Sequence, residues 1–235
     1  MTCFACEKPA TTREHVPPAC LFPEQKDMGG NKDLRRNLIT APACTDHNLL
    51  KSGDDEYFLW VLSTNLPANS VAREQASTKL ARAYQRRPAL GQSMLRSGED
   101  VDVMDSHTDG RYEAVQVPLD GPRFQKVLDL IALGLYRHHF GERWKGRLRV
   151  HPDFVAFADA PDASEVEASR AVAFDCAQKL FVRQPKYGDN PTVFWYQVHE
   201  PTELYRCLIR LSFYEGCTAT AFIGEGTGNT PLHRR

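Results

Sequence analysis

The chain lacks a long apolar run. In its 235 residues the longest apolar stretch, residues 127–136, is interrupted by Asp129 and is too short to span a bilayer. The first residues also lack the charged and apolar segments of a secretory signal. We therefore expect no membrane association and a reduced, cytoplasmic protein.

The chain also lacks a charge excess of either sign. Lysine and arginine number 29 against 30 aspartates and glutamates, which gives a formal net charge of -1. Without a global basic field, any contact with nucleic acid must come from local basic patches. This balance neither supports nor excludes DNA binding.

Several catalytic motifs are missing. The sequence contains no GxxxxGK[ST] phosphate loop and no GxSxG nucleophile elbow. A zinc deaminase would need His-x-Glu followed by Pro-Cys-x-x-Cys, whereas here the order is Glu14-His15 and the second cysteine pair is incomplete. These absences argue against the corresponding three classes of enzyme.

The seven cysteines are odd in number and are not spaced like a disulfide framework. Four thiol and imidazole ligands instead form two close pairs, Cys3-x-x-Cys6 and Cys44-x-x-His47, about forty residues apart. Such a set suits a tetrahedral structural Zn²⁺. Two alternatives stay open: reduced structural cysteines with an unrelated His47, or Cys20 as a substitute ligand, although a lone Cys20 is more typical of a buried apolar thiol.

Residues suited to phosphodiester hydrolysis lie between and beside these pairs. A neutral imidazole such as His15 can take a proton from water at neutral pH. The carboxylate of Glu14 and the amide oxygen of Asn48 are hard ligands that suit catalytic Mg²⁺ or Mn²⁺. Asn37 can fix the intervening loop by side-chain hydrogen bonds and so orient His15. The pattern favours metal-dependent phosphodiester cleavage.

Residues 1–55 resemble the HNH endonucleases in their zinc-bearing treble-clef form, which has a ββα-metal core. The resemblance covers under a quarter of the chain. Its motifs are Cys3-x-x-Cys6, Arg13-Glu14-His15-Val16-Pro17, Asn37-Leu38 and Cys44-x-x-His47-Asn48-x-x-Lys51-Ser52.

The resemblance implies a role for each of these residues. His15 would be the general base that activates water, and Glu14 stands where the family more often has an aspartate that binds the catalytic metal. Asn48 stands at the last position of the HNH pattern, which binds metal or orients phosphate, and Asn37 stands at the middle one. Cys3, Cys6, Cys44 and His47 would bind the structural zinc.

Two departures from the family pattern leave alternatives open. His47 stands in place of the usual fourth zinc cysteine, so it can instead bind the catalytic ion. Glu14 is one methylene longer than aspartate, which can move the metal or leave the carboxylate outside its coordination sphere. Lys51 and Arg13 are candidate phosphate contacts, but an exposed lysine on a helix and an arginine paired with Glu14 are equally ordinary interpretations.

The fold class that we predict is α+β. Residues 1–62 would form the ββα nuclease module, and residues 63–235 a mixed domain with a role in target recognition, partner binding or homodimerisation. Its main element would be an amphipathic helix that starts at Pro122 and ends at Gly141. The other predicted elements are helices at 70–84 and 164–180, a hairpin at 99–116 with its turn at 107–110, and strands at 148–150, 154–157, 193–198, 204–213 and 219–223.

These features predict an endonuclease that cuts DNA, although RNA is also a candidate substrate. The alternative is a treble-clef zinc module that binds nucleic acid or protein and cleaves nothing. A basic stretch at residues 137–149 can either contact nucleic acid or stabilise the end of a helix, and Trp144 within it can either stack on a base or anchor the helix.

Overall fold

A computed structural model of the protein shows a mixed α/β chain. None of the helices that the structure describes is long and apolar enough to cross a membrane. The structure describes residues 1–29, 32–49, 51–86, 97–104, 110–155, 163–200 and 206–224.

The N-terminal part has the predicted order of strand, loop, strand and helix. Strand β1 (Thr12–His15) pairs antiparallel with β2 (Thr40–Ala43), so that His15 lies opposite Thr40. Helix α1 (Thr45–Asn48) follows β2 directly, and α2 (Ser52–Ser63) comes after it. Two 3₁₀ turns, Ala19–Leu21 and Gln25–Asp27, lie in the connection between the strands.

The predicted helix at 70–84 is present but is divided. Its three parts are α3 (Ser70–Gln75), a π-helical turn (Ala76–Leu80) and α4 (Ala81–Arg86). The predicted hairpin is also present, as β3 (Glu99–Met104) and β4 (Arg111–Gln116). Residues 105–109 of its predicted turn lie outside the described residues.

The amphipathic helix is α5 (Gly121–Phe140). The Asp120 side chain caps its start by accepting a hydrogen bond from the backbone N–H of Arg123. Gly141 ends it at a φ of 74°, a left-handed conformation that glycine adopts without steric cost. The predicted apolar stripe is buried and comprises Phe124, Val127, Leu128, Ile131 and Leu135.

The C-terminal part is a five-stranded antiparallel sheet in the order β5-β9-β8-β7-β6. Helix α6 (Ala163–Phe181) packs on one face of it, where Ala177 and Phe181 contact Leu208. The strands are β5 (Arg147–Pro152), β6 (Tyr187–Asn190), β7 (Phe194–His199), β8 (Cys207–Phe213) and β9 (Cys217–Gly224).

One sequence expectation for this sheet was wrong, and one strand was missed. The described part of the predicted strand 154–157 is not a strand, because the chain turns at residues 153–154, just after β5 ends, and residues 156–157 lie outside the described part. The short edge strand β6 was not predicted, because Gly188, Asp189 and Asn190 are typical of turns.

The core joins the two parts of the chain. The ring of Phe58 in α2 lies 5.0 Å from that of Phe124 in α5 and 5.5 Å from that of Phe213 in β8. One continuous cluster of buried side chains runs from Cys3 to Ile223. The division of the chain at residue 62 stays a prediction, and any such boundary crosses a shared core.

Candidate metal centre and the His15 pocket

Cys3, Cys6, Cys44 and His47 form one group, with their ligand atoms all within 4.8 Å of one another. The His47 Nδ1 lies 3.3 Å from the Cys44 Sγ and 3.6 Å from the Cys3 Sγ, and the Cys6 and Cys44 sulfurs are 3.7 Å apart. Four ligands around a tetrahedral Zn²⁺ would stand about 3.8 Å apart for two sulfurs and about 3.5 Å for sulfur and nitrogen. The group can therefore hold a metal ion such as zinc.

Backbone pairing brings the two halves of this group together. The Cys3 N–H donates to the Lys8 carbonyl, which folds the first Cys-x-x-Cys into a tight turn. The Phe4 N–H then donates to the Pro42 carbonyl at 2.8 Å, which holds this turn against β2. Cys44 follows β2 at the start of α1, and His47 lies on α1 itself. The pairing of the two motifs, predicted from their spacing, is confirmed.

The thiols lie in different electrostatic surroundings. Burial raises the pKa of Cys3. Hydrogen bonds from the backbone N–H groups of Ala5, Cys44 and Cys6 lower this pKa by a larger amount, so the net shift is downward. At Cys44 burial is likewise outweighed by the hydrogen bonds from His47, and its pKa is lowered. Burial raises the pKa of Cys6. The two lowered thiols favour the thiolate form that metal binding requires.

His15, at the end of β1, lines a small pocket next to this centre. Its half-buried imidazole has no hydrogen-bond partner among the residues that the structure describes. Burial lowers its pKa, and the charge of Arg35 lowers it further, so the ring is neutral at pH 7. The pocket is lined by Phe4, Glu14, His15, Val16, Pro18 and Lys51 together with apolar residues of α5.

Glu14 belongs to a buried ionic group in the same pocket. Lys51 is only 4% exposed, and its Nζ lies 2.8 Å from the Glu14 Oε1 and 2.7 Å from both carboxylate oxygens of Asp55. Burial raises the pKa of Glu14 and of Asp55, although the charge of Lys51 opposes the shift in both. Lys51, a candidate phosphate contact, thus lies between two carboxylates and joins β1 to α2.

Asn48 and Arg13 make hydrogen bonds within the β1–β2–α1 unit. The Asn48 Nδ2 donates to the Arg13 carbonyl at 3.3 Å, which ties α1 to β1. The Arg13 guanidinium donates to the Thr40 Oγ1 on β2 at 3.0 and 2.7 Å. The Asn48 Oδ1 accepts no hydrogen bond within the described part of the chain.

Asn37 makes its contact away from the pocket. It has a φ of 49°, a left-handed conformation that asparagine tolerates better than most residues, and its Nδ2 donates to the Asp189 Oδ2 at 2.6 Å. The hydrogen bond joins the loop before β2 to strand β6. The structure therefore brings His15, Glu14 and Lys51 together, with Asn48 on the adjoining helix and Asn37 on the loop.

Two residues of this site were missed from the sequence. Asp55 could have been found from its spacing, because residues i and i+4 of a helical segment are neighbours and Lys51 precedes it by four. Arg35, whose charge acts on His15, carries no such local signal because it lies twenty residues further along the chain.

Searches of protein-family models, of curated proteins and of solved structures give no match to this chain.

Proposed function

We propose that the protein is an HNH-type endonuclease that hydrolyses phosphodiester bonds in DNA with a divalent metal ion, and that His15 is its general base. The observation that carries the proposal is the neutral, half-buried imidazole of His15, which has no hydrogen-bond partner among the residues that the structure describes. It stands at the end of β1, on the same ββα unit as the four candidate zinc ligands. An imidazole with a purely structural role would usually donate to a neighbouring carbonyl.

The zinc centre in this proposal is structural, and the unit around it is of the treble-clef type. Three thiols and one imidazole fill a tetrahedral set, which leaves no open position for a substrate. Zinc would hold the N-terminal turn, the end of β2 and α1 in fixed relation. His15 would therefore be positioned by a rigid unit.

Hydrolysis needs oxygen ligands for a second, catalytic ion such as Mg²⁺ or Mn²⁺. The Glu14 Oε2 and the Asn48 Oδ1 are of the required type, and neither accepts a hydrogen bond within the described residues. When bound, such an ion would neutralise charge on the phosphate.

His15 would supply the proton transfer in this reaction. Its ring, neutral at pH 7, would accept a proton from the attacking water while the new bond to phosphorus forms. The bond to the leaving oxygen would then break, and that oxygen would need a proton from another donor or from solvent. Replacing His15 would remove the base without removing any group of the zinc centre.

A plasmid-nicking assay tests this proposal. Supercoiled DNA would be incubated with the zinc-loaded protein and Mg²⁺, Mn²⁺ or no added divalent ion, for the wild type, His15→Ala and the control Arg111→Ala, which replaces an exposed side chain of β4. We expect metal-dependent nicking by the wild type and the control, and a loss of roughly 100-fold or more in His15→Ala. Equal nicking by all three proteins would refute the assignment of the base.

A second candidate function, a zinc module that binds nucleic acid or protein without cleaving it, is favoured by a specific observation. One oxygen of Glu14 is bound by the buried ammonium of Lys51, and the amide of Asn48 is bound by a backbone carbonyl, so both side chains already have structural contacts. This function predicts zinc at one ion per chain with no cleavage of duplex DNA, single-stranded DNA or structured RNA. Cleavage of RNA but not of DNA would instead mean that the protein is a nuclease whose substrate is RNA.

A further inference from the structure

A cationic surface lies around the C-terminal end of α5, outside the His15 pocket. It combines the C-terminal turn of α5, the turn that follows it and the edge strand β5. We call this surface the basic edge, and its members are Arg137, Arg143, Lys145, Arg147 and Arg149.

Among the described residues, the five cations of the basic edge outnumber the two carboxylates beside them, Glu7 and Glu142. Glu7 approaches Arg143 at 2.8 Å and Lys145 at 3.9 Å, and Glu142 accepts a hydrogen bond from the Tyr136 hydroxyl. Within the described part of the chain, Arg147 and Arg149 have no ion pair, and both are exposed. In a protein with a net charge of -1 this local excess is a distinct feature.

Helix stability does not account for the two exposed arginines. A cation in the last turn of a helix is stabilised by the helix dipole, which accounts for Arg137. Arg147 and Arg149 instead lie on a strand, where they point to the same face about 7 Å apart. They form no contact that β5 needs for its pairing with β9, which is made by the backbone.

Trp144, the aromatic side chain within the basic edge, has a structural role. Its ring lies 5.2 Å from that of Tyr136, its Nε1–H donates to the Arg147 carbonyl at 3.1 Å, and Gly146 leaves the room that the indole occupies. The indole therefore anchors the turn and is not presented for stacking on an unpaired base. A cationic surface without an exposed stacking ring fits the phosphate backbone of a duplex better than a single strand.

The basic edge is connected to the candidate active site through two elements. Leu130 and Ile131 of α5 line the His15 pocket, and Arg137 follows on the same helix, about 9 Å further along its axis. Arg143 pairs with Glu7, which directly follows the candidate ligand Cys6. Arg147 and Arg149, in contrast, lie on the face of the sheet that α6 covers, because Arg149 stands directly opposite Phe222, which packs with Leu208, Ala177 and Phe181.

We infer that the basic edge binds the phosphate backbone of duplex DNA. The inference rests on the proposed function for the identity of the polyanion. Arginine suits this task because its planar guanidinium can donate two hydrogen bonds to one phosphate. Since the contacts are to the backbone, binding would be largely independent of base sequence.

Binding of a labelled duplex of about 30 base pairs tests the inference. Fluorescence anisotropy with the zinc-loaded protein in buffer without Mg²⁺ or Mn²⁺, at salt concentrations from about 50 to about 200 mM, would compare the wild type with R147A/R149A and with R111A/R183A. The last variant is the control, because it removes two exposed arginines on β4 and beyond α6. For R147A/R149A we expect an affinity about tenfold lower and a salt dependence reduced by about two phosphate contacts.

The outcomes separate this inference from the nuclease assignment. Equal affinity and salt dependence in R147A/R149A and the wild type would overturn it, as would an equal loss in the control or tighter binding of single-stranded DNA. Because cleavage needs Mg²⁺ or Mn²⁺ and neither is added, duplex binding that depends on Arg147 and Arg149 would support the basic edge even if the nicking assay were negative. If R147A/R149A kept both the nicking activity of the wild type at high salt and its affinity for DNA, the role of the basic edge would be ruled out. The nuclease assignment would then stand alone.

Discussion

Two regions of the molecule differ in the side chains at their centres. The metal region, residues 1–48, has short strands and a cluster of three thiols and an imidazole at its centre. The sheet region, β5–β9, has longer strands, and β7 and β8 are buried over nearly their whole length. The candidate active site lies in the metal region, beside α5, which packs against both regions.

This difference has a physical reason. A segment with few buried apolar side chains cannot offset the conformational entropy of its folding by hydrophobic burial alone. Metal binding would supply that free energy through a few ligands, which would leave the residues around them available for polar chemistry. The sheet region needs no such ligands, and its buried aromatic side chains are occupied with packing.

The largest expected effect is the loss of the metal from Cys44→Ser. Because binding of a structural zinc ion contributes apparent free energies of about 10 kcal/mol or more, its loss should unfold the metal region. We expect zinc to fall from one ion per chain to near zero, and amide hydrogen exchange to become fast in residues 1–48 while β7–β9 stay protected. Elemental analysis and hydrogen-exchange mass spectrometry would measure both.

The matched control for this change is Cys176→Ser, which replaces an exposed cysteine of α6. It should keep both the zinc content and the exchange pattern of the wild type. If Cys44→Ser also kept them, the metal would not stabilise this region and the comparison between the two regions would fail.

The next effect, on the sheet region, is that of Phe213→Ala. Phe213 is fully buried, and its ring lies 5.1 Å from that of Phe194 and 5.5 Å from that of Phe58. Truncation would leave a cavity and lower the free energy of unfolding by about 3–5 kcal/mol, with zinc content unchanged. Denaturant unfolding would measure it, with the half-exposed Tyr112→Ala on β4 as a control that changes stability by less than about 0.5 kcal/mol.

The smallest effect concerns Asp129 on α5, between the two regions. Burial raises the pKa of this carboxyl to about 6, and its hydrogen bond from the Gln125 side chain opposes the shift only in part. The folded state therefore prefers the protonated form, and the contribution of Asp129 to stability falls as the pH rises from about 4 to about 6. Asp129→Asn should be more stable than the wild type at pH 7, by up to about 3 kcal/mol.

Unfolding at several pH values would test this prediction. The difference between Asp129→Asn and the wild type should vanish below about pH 4, where the carboxyl is protonated in both the folded and the unfolded state. The control is Asp102→Asn on the exposed hairpin. If Asp129→Asn were more stable than the wild type by the same amount at every pH, ionisation of the Asp129 carboxyl would not be the cause of the difference.

Much of the fold could be predicted from local patterns. The four candidate metal ligands follow from their spacing, and α5 follows from its cap, its apolar stripe and Gly141. The strands β7 and β8 are predicted by β-branched and aromatic residues. Strand β6 was missed because Gly188, Asp189 and Asn190 are typical of turns, and the contact between Asn37 and Asp189 joins residues distant in sequence.

The candidate site was only partly predictable, for the same reason. Residue type and spacing indicate that Glu14, His15, Asn48 and Lys51 belong to one site, but not what each side chain contacts. That Lys51 is buried between Glu14 and Asp55 depends on how α2 packs against β1. Local sequence cannot determine such packing, so the exposure expected for a phosphate-binding lysine could not be checked.

The most direct test of the central claim is X-ray absorption at the zinc edge of the purified protein. The account predicts one zinc ion per chain with three sulfur ligands at about 2.3 Å and one nitrogen ligand at about 2.0 Å. The nitrogen ligand should be lost in His47→Ala and kept in His15→Ala. Absence of stoichiometric zinc, or a nitrogen ligand that disappears with His15, would contradict a structural centre beside a free catalytic histidine.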